Sequence, residues 1–289
     1  MKRIIIIIIT IVLWFCIFSG CSTIYMKESF TDFSNSTKSI GKNTTYCFEQ
    51  LFDEEINTRI AESINKDAMT QEGLEPKVLD WSQLELRKKL MDYITNYVKL
   101  LESVVIIDYQ KDISKNAKQV QDNLNYISTN HDFIDKKEIA VLSSFSTGLV
   151  ESLTSSARRS FLIKIMNQHQ PILELTVQKL ISELQTTQLM INNFFDRQFL
   201  FQVALVWPEK ETSREKYAKI GVKILERKRE INSMLEEVIK ALDFIPLTHN
   251  EMIRLLKYND SPITTLDQLT NFGARLEDMY MSIAGNKKK

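Results

Sequence analysis

Histidine and cysteine are the first side chains to consider for catalysis or metal binding, because both can act near neutral pH. The chain contains three histidines, His131, His169 and His249, and three cysteines, Cys16, Cys21 and Cys47. The histidines lie far apart, in or near predicted breaks between helices. None has a glutamate three residues before it, as the Glu-x-x-His pairs of di-iron helical bundles require. We therefore expect no metal site in this chain.

The short motifs of familiar enzyme classes are missing from the sequence. It has no His-Glu-x-x-His, no Cys-x-x-Cys, no Gly-x-Ser-x-Gly and no glycine-rich loop that could hold a phosphate. The acidic runs at 53–55 and 235–237 are typical of solvated helix faces, although a carboxylate pair assembled between helices stays open as an alternative. We expect a protein that is not an enzyme and that needs no cofactor.

Cys21 follows the first apolar segment of the chain. Lys2 and Arg3 precede a 15-residue apolar stretch, Ile4 to Phe18, and two small residues come next. This order is typical of a secretory signal, and the stretch is shorter than the roughly 20 residues that span a bilayer. The final residues, Phe18-Ser19-Gly20-Cys21, resemble the lipobox of bacterial lipoproteins.

The resemblance to bacterial lipoproteins implies a modification and a location. It implies that residues 1–20 are a cleaved signal peptide and that Cys21 is the lipid attachment site, carrying fatty acids of the palmitate type. Phe18 stands where the family prefers Leu. In such lipoproteins, an Asp directly after the lipidated cysteine retains the protein in the inner membrane, whereas this chain has Ser22 there. The resemblance therefore implies that, in a bacterium with two membranes, the protein lies in the outer membrane and faces the periplasm. A plain amino-terminal membrane helix is the alternative.

Charge composition bears on the partners of the chain. The sequence has 37 basic and 37 acidic residues, and removal of Lys2 and Arg3 with the signal leaves 35 against 37. A nearly neutral body gives no basis for binding nucleic acid, which requires a basic patch. With Cys21 lipidated, Cys47 has no partner for an internal disulfide, and we expect it to be buried, with a disulfide between chains as the alternative.

The remaining composition favours helices. Only 7 Gly and 5 Pro occur in the chain, which argues against a turn-rich β protein. Residues 22–46 contain ten Ser or Thr and little apolar periodicity, so we predict a flexible tether there. From Phe48 onward, apolar residues recur at three- and four-residue steps. The predicted fold is all-α, an elongated helical bundle with several long amphipathic helices behind a flexible N-terminal tether. Its parts are a cleaved signal at 1–20, a lipidated tether at 21–46 and a single domain at 47–289.

Proline, glycine and capping residues set the predicted helix boundaries. A capping box at Asp80 predicts one long helix to about residue 129. Pro171 predicts a kink or restart in the next helix, and further helices are predicted at 136–207, 212–245, from 248, and at 265–283.

Two segments suggest a binding role. Residues 138–157 are rich in small side chains, which pack closely within a soluble bundle or, alternatively, in a membrane-inserting hairpin. Residues 194–207 are apolar around most of the helix, which predicts either core or a groove for a partner helix or lipid tail. The candidate interaction surface in this segment comprises Phe194, Phe195, Phe199, Phe201 and Trp207.

These observations lead to one main functional hypothesis. We expect a membrane-anchored lipoprotein of the cell envelope that acts as a helical interaction, scaffold or assembly protein. Its partners would be the bilayer, through acylated Cys21, and a protein of the envelope. The alternatives are a membrane-active or lipid-binding bundle like the helical pore-forming toxins and, from another class, an enzyme of unrecognised type.

Overall fold

A computed structural model describes residues 2–65, 81–106, 110–130, 155–206, 211–258 and 264–286, with side chains at 25–63, 83–106, 113–130, 158–204, 214–258 and 264–283. Nearly every described residue is helical and none lies in a strand, so the predicted all-α bundle is confirmed. The six helices are α1 (Lys2–Asn65), α2 (Trp81–Val105), α3 (Gln110–Asn130), α4 (Ser155–Val206), α5 (Glu211–Tyr258) and α6 (Thr264–Asn286).

Helix α1 lies at the centre of the bundle, in contact with α2, α4, α5 and α6. It runs antiparallel to α2, since Gly41 lies against Met91 and Glu49 pairs with Lys88. It runs parallel to α6, because successive α1 residues bond to successive α6 residues. These bonds join Ser36 to Thr270, Ser39 to Gly273 and Lys42 to Glu277.

The other helices complete two antiparallel pairs. Asn192 and Asn167 of α4 bond to Asn232 and Lys257 of α5, and Ser103 of α2 bonds to Asn116 of α3. One end of the bundle therefore brings together the Tyr25 region of α1, the end of α2, the starts of α3, α4 and α6, and the end of α5. We call this the anchor end and the opposite one the far end.

The predicted flexible tether is wrong for residues 25–46, which form part of α1 and contribute to the core. Phe30, Phe33 and Ile40 are fully buried. Polar residues of this segment are accommodated in two ways. The hydroxyl groups of Ser36 and Ser39 bond to α6, and that of Thr44 donates to the backbone carbonyl of Ile40, four residues earlier, at 2.8 Å. Small side chains also let α6 approach closely. A methyl group at Gly273 would lie 3.4 Å from the Cα of Ser36.

Two predictions of helix extent also differ from the structure, the single helix at 80–129 and the helix end at about residue 245. The long helix expected at 80–129 is two helices, and Asn116 of α3 donates to Ser103 of α2 across the hairpin at 2.8 Å. Helices α4 and α5 instead continue through Pro171 and Pro246. A proline removes one backbone hydrogen bond within a helix. Burial of His169 and Ile172 near Pro171, and of Ile245 and Thr248 near Pro246, offsets that loss.

Candidate functional site

The aromatic surface predicted at 194–207 is divided between core and periphery. Phe194 and Phe195 are buried, with exposures of 6% and 1%. Phe199 and Phe201 are partly exposed, and Trp207 lies outside the described residues. A methyl group at Gly221 would lie 3.2 Å from the Phe199 ring, so Phe199 faces α5. Phe194 and Phe195 are thus part of the bundle core, and the rest of this predicted surface lies at the periphery.

Exposed apolar side chains occur instead at residues next to the contact between Phe199 and Gly221. Leu200 and Val203 of α4 are 64% and 43% exposed, and Val222 of α5 is 53% exposed. Phe199 and Gly221 face each other across this antiparallel pair. Leu200 and Val203 come one and four positions after Phe199, and Val222 comes one position after Gly221. In an antiparallel helix pair such positions lie on the same side, so these three side chains share one side of the α4–α5 hairpin.

This side continues along α4 as a surface with few charges. Thirteen residues between Pro171 and Ala204 are exposed, and only Asp196 and Arg197 are charged. Asp196 pairs with Lys228 at 2.6 Å, and Arg197 pairs with Glu62. We call this the α4 outer face, and its uncharged exposed residues are Pro171, Leu175, Gln178, Ser182, Gln185, Thr186, Leu189, Asn193, Leu200, Val203 and Ala204.

Helix α5 has a different surface from its partner. Nineteen of its residues between Arg214 and Tyr258 are exposed, and twelve of these are charged. A charged surface is the usual state of a solvated helix, whereas contact surfaces are depleted of charge at their centre. The difference marks the α4 outer face, with Leu189 exposed by 73% at its middle, as the candidate interaction surface. Sequence periodicity missed Leu189 because it does not indicate which side of α4 packs on α1.

The structure brings together two histidines that the sequence separates. His169 and His249 are both buried in the core. Tyr93 Oη lies 3.1 Å from His169 Nδ1, and Tyr97 Oη lies 2.7 Å from His249 Nε2. The rings of Tyr97 and His169 stack with their centroids 4.4 Å apart. Two tyrosines one helical turn apart on α2 thus hold one histidine each from α4 and α5.

Both histidines of this cluster are neutral. Burial lowers the pKa of His169 to about 3, and burial with the nearby His169 lowers the pKa of His249 to about 3. His249 Nδ1 faces the amide oxygen of Gln170, which can only accept, so this nitrogen donates and Nε2 accepts from Tyr97. The cluster is a satisfied hydrogen-bonded core, and His131 lies outside the described residues.

The acidic run at 53–55 is not a solvated face. Glu54 is 1% exposed, and its carboxylate accepts from Arg227 Nε at 2.7 Å and from Gln198 Nε2 at 3.2 Å. Arg227 also donates to Gln50 at 2.7 Å. The cluster joins α1, α4 and α5 near the far end. Because these side chains bond to one another, the cluster holds three helices together. In the second acidic run, at 235–237, Glu236 is exposed.

A cavity of about 380 Å³ opens between α2, α3 and α4, with Arg87, Tyr126, Lys179 and Glu183 in its lining. Arg87 Nη2 and Lys179 Nζ lie 2.6 and 2.7 Å from the two oxygens of Glu183. Burial acts to raise the pKa of Glu183. The hydrogen bonds and positive charges of Lys179 and Arg87 outweigh this effect and hold the pKa below its usual value. The lining therefore carries two cations against one carboxylate, and the buried Arg87 Nη1 has no hydrogen-bond partner among the described residues.

Cys47 and Cys21 lie in different environments. Cys47 is 1% exposed and free, which confirms its predicted burial, and burial raises the pKa of its thiol. The backbone at Cys21 is part of α1, and its side chain lies outside the description. Residues 138–154 likewise lie outside the described residues.

The described part of the chain defines a class, a six-helix all-α bundle with one weakly charged outer face. No group of three or more His, Cys, Asp or Glu within it could hold a metal ion. Where side chains are described, from Tyr25 onward, no helix has the length and apolar content to cross a membrane either. No family model, curated protein or solved structure matches the chain.

Proposed function

We propose that the chain is a lipid-anchored protein of the bacterial cell envelope whose bundle holds a partner protein close to the membrane. The observation that carries the proposal is the α4 outer face, where the exposed residues between Pro171 and Ala204 include only two charges, both paired. The lipobox-like sequence ending at Cys21 supports the anchor. Ser22 supports the outer membrane, facing the periplasm, in a two-membraned bacterium.

The chemistry of the α4 outer face indicates the kind of partner. Gln178, Ser182, Gln185 and Asn193 offer uncharged hydrogen-bonding groups between Leu175, Leu189 and Leu200. A partner with a charged contact face would lose hydration there without gaining an opposite charge. The occupant is therefore an amphipathic helix of another envelope protein whose contact face is uncharged, with apolar residues at three- and four-residue steps.

A second copy of the chain fits this surface less well. Two copies anchored in the same membrane by the same end pack with their α4 helices parallel. This arrangement places each Asp196–Lys228 ion pair beside its counterpart on the other chain, so that carboxylate meets carboxylate, and like charges opposite one another are destabilising.

The anchor is tested by labelling cells with a palmitate analogue. We expect the full chain to take up the label, the Cys21→Ser variant to lose it and the Cys47→Ser variant, which removes the buried cysteine, to keep it. An unlabelled full chain would exclude the lipoprotein assignment without bearing on the α4 outer face.

The partner is tested by placing a photoreactive residue at Leu189 in the full chain and crosslinking in native membranes. We expect one protein adduct whose crosslinked peptide maps to an uncharged helix face. The adduct should be lost when Leu200→Glu is added, and a photoreactive residue at Glu236 on α5 should not form it. A self-adduct or an adduct with lipid alone at Leu189 would overturn the proposed partner.

A further inference from the structure

Two prolines interrupt the α4–α5 pair at nearly the same level. Pro171 lies within α4 and Pro246 within α5. Gln170 contacts His249 across the pair, so the prolines lie one and three residues from this contact. A proline has no backbone N–H to donate, so both helices lose a backbone hydrogen bond at this level. We call this level the joint.

The parts of α4 and α5 between the joint and the anchor end contact each other. They are residues 155–170 of α4 and 247–258 of α5, and we call them the anchor-side segments. Arg159 of the first segment donates to the backbone carbonyl of Leu256 in the second. Because they pack on each other, the two segments can move together about the joint.

Both buried histidines belong to the anchor-side segments, while the tyrosines that hold them belong to α2. Tyr93 bonds to His169, and Tyr97 bonds to His249. The ring of Tyr97 also stacks on that of His169. These contacts hold the anchor-side segments against α2, and separation of the segments from α2 would expose both imidazoles to water.

Two further polar atoms beside the joint lack hydrogen bonds. Gln168 Oε1 and Thr248 Oγ1 are buried, and neither has a partner among the described residues. Each lies next to one of the two histidines in the sequence. Water would satisfy both atoms once the joint opened, so opening costs less free energy here than where every buried polar group is paired.

The described residues around the joint offer no counter-ion for a proton on either imidazole. Burial raises the pKa of the Tyr93 and Tyr97 hydroxyl groups, so both stay neutral. Glu174 of α4 bonds to Gln170, and Glu251 of α5 bonds to α6. No described charged side chain from any packed helix acts on the pKa of either histidine. An imidazolium in the closed joint would therefore be buried without compensation.

We infer that the joint is an acid-sensitive switch, at which the anchor-side segments separate from α2 when the two imidazoles take up protons. The α4 outer face begins at Pro171, so the switch lies between that face and the anchor end. It is a property of the fold and does not require the proposed partner. In the open state each imidazole has a pKa of about 6.5. The opening equilibrium should therefore rise roughly 30-fold for each histidine between pH 7.5 and 5, and about 900-fold for both.

The test measures thiol labelling in the full lipidated chain carrying Thr248→Cys. Thr248 is fully buried, so a thiol at this position reacts with a soluble disulfide reagent only when the joint opens. Cys47 is buried in α1 and reports opening of the whole core. Division by the labelling rate of the urea-unfolded chain at the same pH removes the intrinsic pH dependence of thiol reactivity.

We expect the thiol at 248 to react faster than Cys47 at both pH values. Its opening should rise about 900-fold from pH 7.5 to 5 and should depend only weakly on urea, because a local opening exposes little surface. Labelling of Cys47 should show the steep urea dependence of global unfolding. Equal rates and equal urea dependence at the two sites would overturn the inference, since the joint would then open only when the whole chain unfolds.

Three variants in the Thr248→Cys chain separate the parts of the switch. His249→Gln should reduce the rise to about 30-fold. Glu251→Gln, which removes the carboxylate that bonds to α6, should keep the full rise. Pro171→Ala restores one backbone bond and should lower the opening by roughly 2- to 10-fold at both pH values. A pH-independent opening, or a full rise in His249→Gln, would show that the histidines are not the trigger, and an unchanged opening in Pro171→Ala would show that the chain does not bend at this joint.

Discussion

Residues 25–46 of α1 and residues 194–206 of α4 show opposite relations between composition and burial. The first segment is rich in serine and threonine, yet Phe33, Thr37 and Thr44 are fully buried. The second is rich in aromatic and aliphatic residues, yet Leu200 is 64% exposed. A helix is buried by its position among its neighbours, so α1 at the centre buries polar residues while α4 at the periphery exposes apolar ones.

The largest expected effect concerns the polar-looking segment. Phe33→Ala should destabilise the fold by about 3–5 kcal/mol, because it removes a fully buried ring from the core. Urea unfolding of the full chain in mild detergent, followed by circular dichroism, measures this. The matched control is Asn35→Ala, an exposed position in the same segment, which should stay within about 0.5 kcal/mol of the parent. If both variants had equally small effects on stability, residues 25–46 would be a flexible tether and not part of the core.

The buried polar groups should also make stability depend on pH. The pKa of His169 and of His249 is lowered to about 3 by burial, below the value of about 6.5 in an unfolded chain. Their contribution is therefore complete above pH 6.5 and is lost as the pH falls towards 3, by about 1.4 kcal/mol per pH unit for each histidine.

Urea midpoints between pH 7.5 and 5 measure this slope, in a range where carboxylates stay mostly ionised. His249→Gln should remove about half of it. A parent chain with constant stability over this range would show that the histidines are not buried as neutral groups.

The all-α class was predictable because apolar residues recur with helical spacing in a chain with few glycines and prolines. The start of the bundle was predictable in principle. Phe30, Phe33, Thr37, Ile40, Thr44, Cys47 and Leu51 follow alternating steps of three and four, and only the two threonines interrupt the apolar pattern. The His169–His249 contact was not predictable, because it depends on how α4 and α5 pair across α2. The exposure of Leu189 was not predictable for the same reason.

A smaller effect should distinguish the two buried threonines of α1. The hydroxyl of Thr37 has no hydrogen-bond partner among the described residues, whereas that of Thr44 donates to Ile40 at 2.8 Å. Thr37→Val should stabilise the fold by about 1 kcal/mol, since it replaces an unsatisfied buried hydroxyl by a methyl group. Thr44→Val should be neutral or destabilising by about 1 kcal/mol. Urea midpoints compare the two, and destabilisation by Thr37→Val would indicate a partner for its hydroxyl.

The smallest effect on stability is expected on the α4 outer face. Leu189→Gln should change the free energy of unfolding by less than about 0.5 kcal/mol, because a side chain that is 73% exposed contributes little to the core. Leu184→Gln is the matched control. It makes the same change on the same helix at a fully buried position, and should cost several kcal/mol because it places an amide among apolar groups. If Leu189→Gln leaves stability unchanged but reduces crosslinking to the partner from a photoreactive residue at Leu175 on the same face, the role of Leu189 is recognition. If it destabilises the isolated chain as much as Leu184→Gln does, α4 has no free outer face, and the contrast between α1 and α4 disappears.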